Sequence, residues 1–172
     1  MIRSYCISVL LTLFLGQSFA QNDLNVYVFI AEDCPISIYM AKPLQDVSQK
    51  FGPKATFYAV FPSILSTTES AELFLEEYNL PGFNIRLDPN QELTDQLSAS
   101  VTPEAIITDR NGEILYRGRI TDAFVAPGKM KHGARVNVLN EAIGQVLNGK
   151  KVPLPWVAAV GCYISYKPKS DD

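Results

Sequence analysis

The feature that most restricts the fold of this chain is an alternation of apolar, strand-like segments with segments of helical periodicity. Runs rich in β-branched and aromatic residues predict buried strands, and apolar residues spaced three and four positions apart predict helices. The predicted strands are residues 24–30, 55–61, 84–87, 105–108 and 113–119, and the predicted helices are residues 35–50, 67–78, 90–97 and 136–147. Asn111-Gly112 is typical of a tight turn, so the last two strands should form an antiparallel hairpin. This order of elements predicts an α/β fold, a three-layer sandwich with a mixed central sheet and flanking helices.

The first twenty residues predict an export signal. Arg3 provides a positive charge, residues 7–15 form a short apolar run, and the small side chain of Ala20 precedes a cleavage site before Gln21. The apolar run is shorter than the roughly 20 residues that cross a bilayer, so we expect cleavage rather than stable membrane insertion. The protein should then be secreted or periplasmic; an uncleaved anchor is the alternative.

The rest of the chain is long enough for one domain and too short for two. We expect residues 21–149 to form that domain and residues 150–172 to form an extended, flexible, proline-containing tail that carries Cys162. The formal net charge is −3, and no cluster of Lys and Arg is interleaved with aromatic residues. This composition argues against a nucleic-acid partner.

Two cysteines, Cys34 and Cys162, remain once Cys6 leaves with the signal. In an oxidising compartment such a pair can form a structural disulfide, take part in redox chemistry or hold a metal. Cys34 follows a predicted buried strand and precedes Pro35, a residue favoured in the first turn of a helix. Its sulfur should therefore lie near unpaired N–H groups and the positive end of the helix dipole, which favour thiolate over thiol. The negative charge of Glu32 and Asp33 opposes this effect.

Three segments carry a family resemblance. They are Phe29-Ile-Ala-Glu-Asp-Cys-Pro-Ile-Ser37, Val101-Thr-Pro-Glu-Ala105, and Tyr116-Arg-Gly-Arg-Ile120 together with Val160-Gly-Cys-Tyr-Ile164. They resemble, in turn, the active-site motif, the cis-proline loop and the C-terminal cysteine segment of exported redoxin-domain proteins in the thioredoxin-like superfamily. The resemblance implies that the Thr102–Pro103 loop packs against Cys34 and that these two loop residues position the substrate.

The sequence departs from that family at two positions. Ser37 stands where thioredoxins carry the second cysteine of Cys-x-x-Cys, so a local dithiol is excluded and Ser37 is a candidate hydrogen-bond donor to the Cys34 sulfur. Ala31 stands where peroxiredoxins carry a Thr or Ser three residues before the reactive cysteine. The distant Cys162 is then the candidate resolving cysteine, and a permanent tether between tail and core is the alternative.

The sequence therefore predicts an exported thiol–disulfide oxidoreductase of redoxin type, without a cofactor. Cys34 would be its nucleophile, Cys162 its resolving cysteine, and protein thiols or disulfides its partners. A thiol peroxidase that acts on a peroxide is a second enzymatic hypothesis. The third hypothesis is a non-enzymatic module, in which the disulfide is structural or in which Cys34, His132 and Cys162 hold copper.

Overall fold

A mixed β-sheet with helices on both faces forms the centre of the computed structural model, which describes residues 24–165. The strands are β1 (Leu24–Phe29), β2 (Thr56–Phe61), β3 (Phe83–Leu87), β4 (Val101–Thr102), β5 (Glu104–Asp109), β6 (Ile114–Gly118), β7 (Phe124–Ala126), β8 (Lys129–Met130) and β9 (Cys162–Tyr163). The helices are α1 (Pro35–Phe51), α2 (Thr68–Glu77), α3 (Glu92–Leu97) and α4 (Val138–Leu147). The predicted export signal lies outside the described residues.

The central sheet has five strands in the order β3-β2-β1-β5-β6. Strands β1, β2 and β3 are parallel, and β5 and β6 are antiparallel to their neighbours. The β5–β6 hairpin is the one predicted from Asn111-Gly112, where Gly112 has a φ of +85°. The carboxylate of Asp109 accepts the N–H groups of Asn111 and Glu113 at 2.8 Å and so stabilises the turn.

One face of β1 is buried and the other is covered in part, which explains its nearly continuous apolar sequence. Val26 and Val28 point into the larger core, which packs against α1, α2 and α4, whereas Phe29 points into a smaller core on the other face. The smaller core contains Leu97 from α3 and Ile164 from the C-terminal segment. Helices therefore cover both faces of the sheet, and the predicted three-layer α/β sandwich is confirmed.

Helix α4 begins two residues later than the spacing of its apolar residues predicts. Asn137 precedes the helix and accepts the N–H of Asn140 through its side-chain oxygen, at 3.0 Å. This cap satisfies an N–H group that has no partner within the helix. The apolar Val136 lies before the cap, where its N–H donates to the carboxylate of Asp122 at 2.7 Å.

The described part of the segment after α4 contains no helix and runs along the core. Trp156 packs against Tyr116, with ring centroids 6.2 Å apart. The guanidinium of Arg119 donates from Nε and Nη2 to the carbonyl of Ala158, at 3.2 and 3.0 Å. Beyond these contacts the chain forms β9, which pairs with β4, and the side chain of Ile164 is 8% exposed.

Among the helices of residues 24–165, none combines the length and the hydropathy needed to traverse a bilayer.

Candidate active site

The first element of the site is Cys34, which lies between β1 and α1 and is only 2% exposed. Its N–H donates to the carbonyl of Ala31 at 3.1 Å, and its own carbonyl accepts the N–H of Ile38 at 3.1 Å. Pro35 occupies the start of the helix, and no side chain caps this end. The partial positive charge of the α1 N-terminus is therefore next to the sulfur, where it stabilises a thiolate.

A disulfide joins Cys34 to Cys162 across 128 residues of sequence, with the two Cα atoms 6.3 Å apart. The structure thus brings together the two cysteines that the sequence predicts as a pair. Their surroundings differ, because Cys34 is buried in the larger core and Cys162 is exposed on β9. A cysteine pair at bonding distance can exist as a disulfide or a dithiol, and so can exchange two electrons with external thiols or disulfides.

The loop at Thr102 and Pro103 forms the third part of the site. The peptide bond between these residues is cis. The carbonyl oxygen of Thr102 lies 3.2 Å from the sulfur of Cys34, and it can accept the S–H of the reduced thiol. Thr102 is also paired with Cys162 in the β4–β9 ladder, and its hydroxyl donates to the Cys162 carbonyl at 3.5 Å. Four predicted site residues therefore lie together.

Gly161 allows β9 to approach this loop. A Cβ atom on residue 161 would overlap the carbonyl group of Thr102 and would lie 3.1 Å from the nitrogen of Pro103. Only glycine fits so close to the backbone of another segment. Sequence reasoning missed this role, although the position of Gly161 directly before the C-terminal cysteine is a signal that could have suggested it.

Ser37 does not make the contact predicted for it. The residue is 2% exposed, and its hydroxyl oxygen accepts the N–H of Ala31 at 3.4 Å. Within residues 24–165, no hydrogen bond joins Ser37 to either sulfur. The hydroxyl oxygen of Ser37 therefore stabilises the turn that precedes α1.

The carboxylate of Glu32 forms hydrogen bonds at the N-terminal end of α2. It accepts hydrogen bonds from the hydroxyls of Ser66 and Ser70, both at 2.9 Å. Ser70 also belongs to the capping box that Thr67 makes at the N-terminus of α2. These donors and the α2 dipole balance part of the negative charge two residues before Cys34. Sequence reasoning recognised the charge of Glu32 but not its partners, which lie more than thirty residues away.

A second carboxylate, Glu104, is buried directly after Pro103, with 4% of its surface exposed. It accepts the backbone N–H of Ser100 at 2.9 Å and so ties together the chain on either side of β4. This contact connects the cis-proline loop to the turn after α3. Sequence reasoning missed Glu104, because nothing in a single acidic residue after a proline indicates burial.

Cys34, His132 and Cys162, the residues of the alternative copper site, do not form a cluster of three ligands. His132 is exposed in the loop after β8, and the described part of the chain contains no group of three or more His, Cys, Asp or Glu side chains able to hold a metal ion. A groove of about 430 Å³ between α1 and the segment before α4 includes Tyr39 and Arg135 in its lining, but neither cysteine. The candidate chemistry is therefore concentrated at the disulfide.

No protein-family model matches the sequence, and no curated protein matches it significantly. Solved structures do match. A hypothetical protein from Sinorhizobium meliloti is similar at a TM-score of 0.74 and 23% identity, over 86% of this chain and 81% of that chain. A thioredoxin-like protein from Aeropyrum pernix is similar at a TM-score of 0.53 and 16% identity, over 74% of this chain and 78% of that chain.

The chain has the thioredoxin-like fold. A secreted disulfide oxidoreductase of Mycobacterium tuberculosis shares it, at a TM-score of 0.51 and 16% identity, over 72% of this chain and 82% of that chain. In this thioredoxin-like fold the two bonded sulfurs come from distant parts of the sequence, and Ser37 stands at the position of the second cysteine in Cys-x-x-Cys. The segment after α4 supplies the second sulfur instead.

Proposed function

We propose that this protein is an exported thiol–disulfide oxidoreductase whose reacting groups are Cys34 and Cys162. The observation that carries the proposal is the disulfide between these residues at the uncapped N-terminus of α1, beside the Thr102 carbonyl. The N-terminal sequence, with its charged start and short apolar run, supports export. The fold shared with a secreted disulfide oxidoreductase is in keeping with this proposal.

The proposed reaction exchanges one disulfide for another. In the reduced protein, one cysteine thiolate attacks a disulfide of the client protein, forms a mixed disulfide and releases the first client thiol. The second cysteine thiolate then attacks the protein sulfur of that mixed disulfide, releases the second client thiol and forms the Cys34–Cys162 bond. An external dithiol, or two monothiols, returns the protein to its reduced form. The same steps in reverse oxidise a client dithiol.

The environment of Cys34 determines how readily its sulfur leaves a disulfide as a thiolate. A thiol leaves a disulfide more readily when its thiolate is stable. The helix dipole of α1 stabilises the Cys34 thiolate, whereas the nearby Thr102 carbonyl favours the protonated thiol by accepting its S–H. The balance between these two contacts sets how strongly the reduced form is favoured.

A purely structural disulfide is the second candidate, and the burial of Cys34 together with the anchoring of the tail favours it. The two candidates differ in whether the folded protein exchanges its disulfide. A buried bond that reacts only after unfolding serves stability alone, whereas a redox bond equilibrates with external thiols while the fold is intact.

The test uses the full chain carrying Cys6→Ser, so that Cys34 and Cys162 are its only cysteines. We expect two thiols to appear when the folded protein is incubated with dithiothreitol and the disulfide to form again in oxidised glutathione. We also expect the protein to accelerate the reduction of insulin by dithiothreitol, and Cys34→Ser and Cys162→Ser variants each to lose this activity. A disulfide that opens only above the urea midpoint of unfolding would overturn the proposal. Peroxide consumption without insulin reduction would instead favour the peroxidase.

A further inference from the structure

The two sulfurs of the disulfide differ in how an external thiolate can reach them. Exchange requires the attacking thiolate to approach one sulfur from the side opposite its bonded partner, so access to that side decides which sulfur reacts. Cys34 is 2% exposed and belongs to the larger core. Cys162 is exposed, and its neighbour Tyr163 is 84% exposed. The approach to Cys162 is therefore the open one.

The space around the Cys34 sulfur is taken up by protein. The Thr102 carbonyl oxygen lies 3.2 Å from it, and Ile30 and Ile36 are buried in the same core as Cys34. The carbonyl oxygen carries partial negative charge, which disfavours an incoming thiolate. Attack on Cys34 therefore requires both displacement of packed groups and an approach toward a like charge.

The edge of β4 at Thr102 is also occupied. An extended client would have to pair with this edge to align its cysteine with Cys34. Strand β9 pairs with Thr102 on that edge, and Gly161 leaves no space even for a methyl group against the loop. The strand is held on both sides of Cys162. Before it, Arg119 donates to the Ala158 carbonyl, and after it, the N–H of Ile164 donates to the Ser100 carbonyl at 3.1 Å.

We propose that Cys162 is the substrate-facing sulfur, which carries the mixed disulfide, and that Cys34 is the inner sulfur, which leaves and returns. This order rests on the proposed function and is the opposite of the one that the sequence predicts. A client thiolate bonds to the Cys162 sulfur, the Cys34–Cys162 bond breaks, and its electron pair remains on Cys34 as a thiolate beside the α1 N-terminus. A second client thiolate then attacks the client sulfur, so that a client disulfide forms and Cys162 leaves as a thiolate.

In the opposite direction Cys162 acts first. Its thiolate attacks a client disulfide and releases one client thiolate, and the Cys34 thiolate then attacks the Cys162 sulfur and releases the other. Cys34 is thus a nucleophile only within the protein. The client recognised in this way is a cysteine on an accessible surface, since it docks over β9 without adding a strand at Thr102.

Chemical trapping shows directly which of the two cysteines carries the mixed disulfide. The oxidised Cys6→Ser protein is mixed with glutathione, quenched with acid, alkylated in denaturant with N-ethylmaleimide and mapped by peptide mass spectrometry. We expect glutathione on Cys162 and the alkyl group on Cys34. The reverse map would overturn the proposed order but leave the oxidoreductase function standing. Absence of glutathione from both cysteines, in a folded protein whose disulfide dithiothreitol also fails to reduce, would overturn the oxidoreductase function and the order together.

A kinetic comparison provides a second measurement that does not depend on trapping. Reduced Cys34→Ser and Cys162→Ser variants, both in the Cys6→Ser background, are reacted with Ellman's reagent. In the folded state we expect the variant that retains Cys162 to react at least about tenfold faster than the variant that retains Cys34, because access limits the buried thiol. In urea the two rates should become similar. A faster reaction of Cys34 in the folded state would contradict the proposal.

Discussion

Gly161 and Thr102 are in backbone contact, so close that a Cβ on residue 161 would lie 2.6 Å from the carbonyl carbon of Thr102. This contact brings the C-terminal segment against the cis-proline loop immediately before Cys162. The neighbouring atoms belong to the backbone and cannot rotate away. The position of Cys162 beside Cys34 therefore depends on the absence of a side chain at residue 161.

The first prediction concerns that contact. Gly161→Ala should lower the free energy of unfolding of the oxidised protein by about 1–3 kcal/mol, the usual range for an overpacked site. The variant's disulfide should also be reduced faster by dithiothreitol, because the displaced β9 exposes it. Urea denaturation and thiol release measure the two effects. Gly144→Ala in α4 is the matched control, since a Cβ there meets no atom within 4 Å; equal stability of the two variants would contradict the prediction.

The second prediction concerns the anchor that follows Cys162. Ile164 is buried in the smaller core with Phe29 and Leu97, so Ile164→Ala should lower the free energy of unfolding by about 2–5 kcal/mol, as expected for a cavity in a core. Chemical denaturation followed by circular dichroism provides the measurement. Leu73→Ala removes a comparable side chain that is 58% exposed. If both variants lost the same stability, Ile164 would not be a core residue.

A third prediction addresses the anchor that precedes Cys162. Arg119→Ala removes both hydrogen bonds to the single carbonyl of Ala158, and at this exposed position the two together should contribute about 1 kcal/mol. The amide of Ile164, which donates to Ser100, should then exchange about fivefold faster with deuterium, because local opening of the tail becomes easier. Lys54→Ala, at an exposed position in the turn before β2, is the control and should leave this exchange rate unchanged.

The fourth prediction concerns acid stability. The hydrogen bond from Lys131 lowers the pKa of Asp122, and the N–H of Val136 lowers it further. A carboxylate whose pKa is lower in the folded protein stabilises the fold above its unfolded pKa, and that stabilisation is lost as the pH falls through the folded pKa. The free energy of unfolding should therefore fall more steeply with acid in the native protein than in Asp122→Asn.

Urea midpoints measured from pH 7 down to pH 2 test this dependence. Glu76→Gln removes an exposed carboxylate of α2 and serves as the charge control. Parallel curves for the native protein and Asp122→Asn would show that the contact between Asp122 and Lys131 does not form in solution.

The elements of the central sheet could be predicted because their signals are local. The apolar run of β1, the helical spacing of α1 and the Asn111-Gly112 turn each depend on neighbouring residues. Strands β4, β7, β8 and β9 were missed, since two or three residues show no periodicity and exist as strands only through their pairing. The same reason explains why the pairing of the C-terminal segment with β4 could not be predicted.

The site was predictable to a similar degree. The location of Cys34 at a strand-to-helix junction follows from Pro35 and the preceding apolar run, and the loop at Pro103 followed only from the family resemblance. Which of the two cysteines is buried could not be predicted, because it depends on contacts between residues far apart in sequence. The hydrogen-bond partners of Glu32 could not be predicted for the same reason. For His132, the sequence does not distinguish a metal ligand from an exposed loop residue.

The bond between Cys34 and Cys162 also closes most of the polypeptide into a covalent ring. One proteolytic cut between these residues leaves a single molecule in the oxidised protein and two fragments in the reduced protein. Electrophoresis of a nicked sample, with and without reductant, would therefore report the oxidation state of the protein. No label and no activity assay would be required.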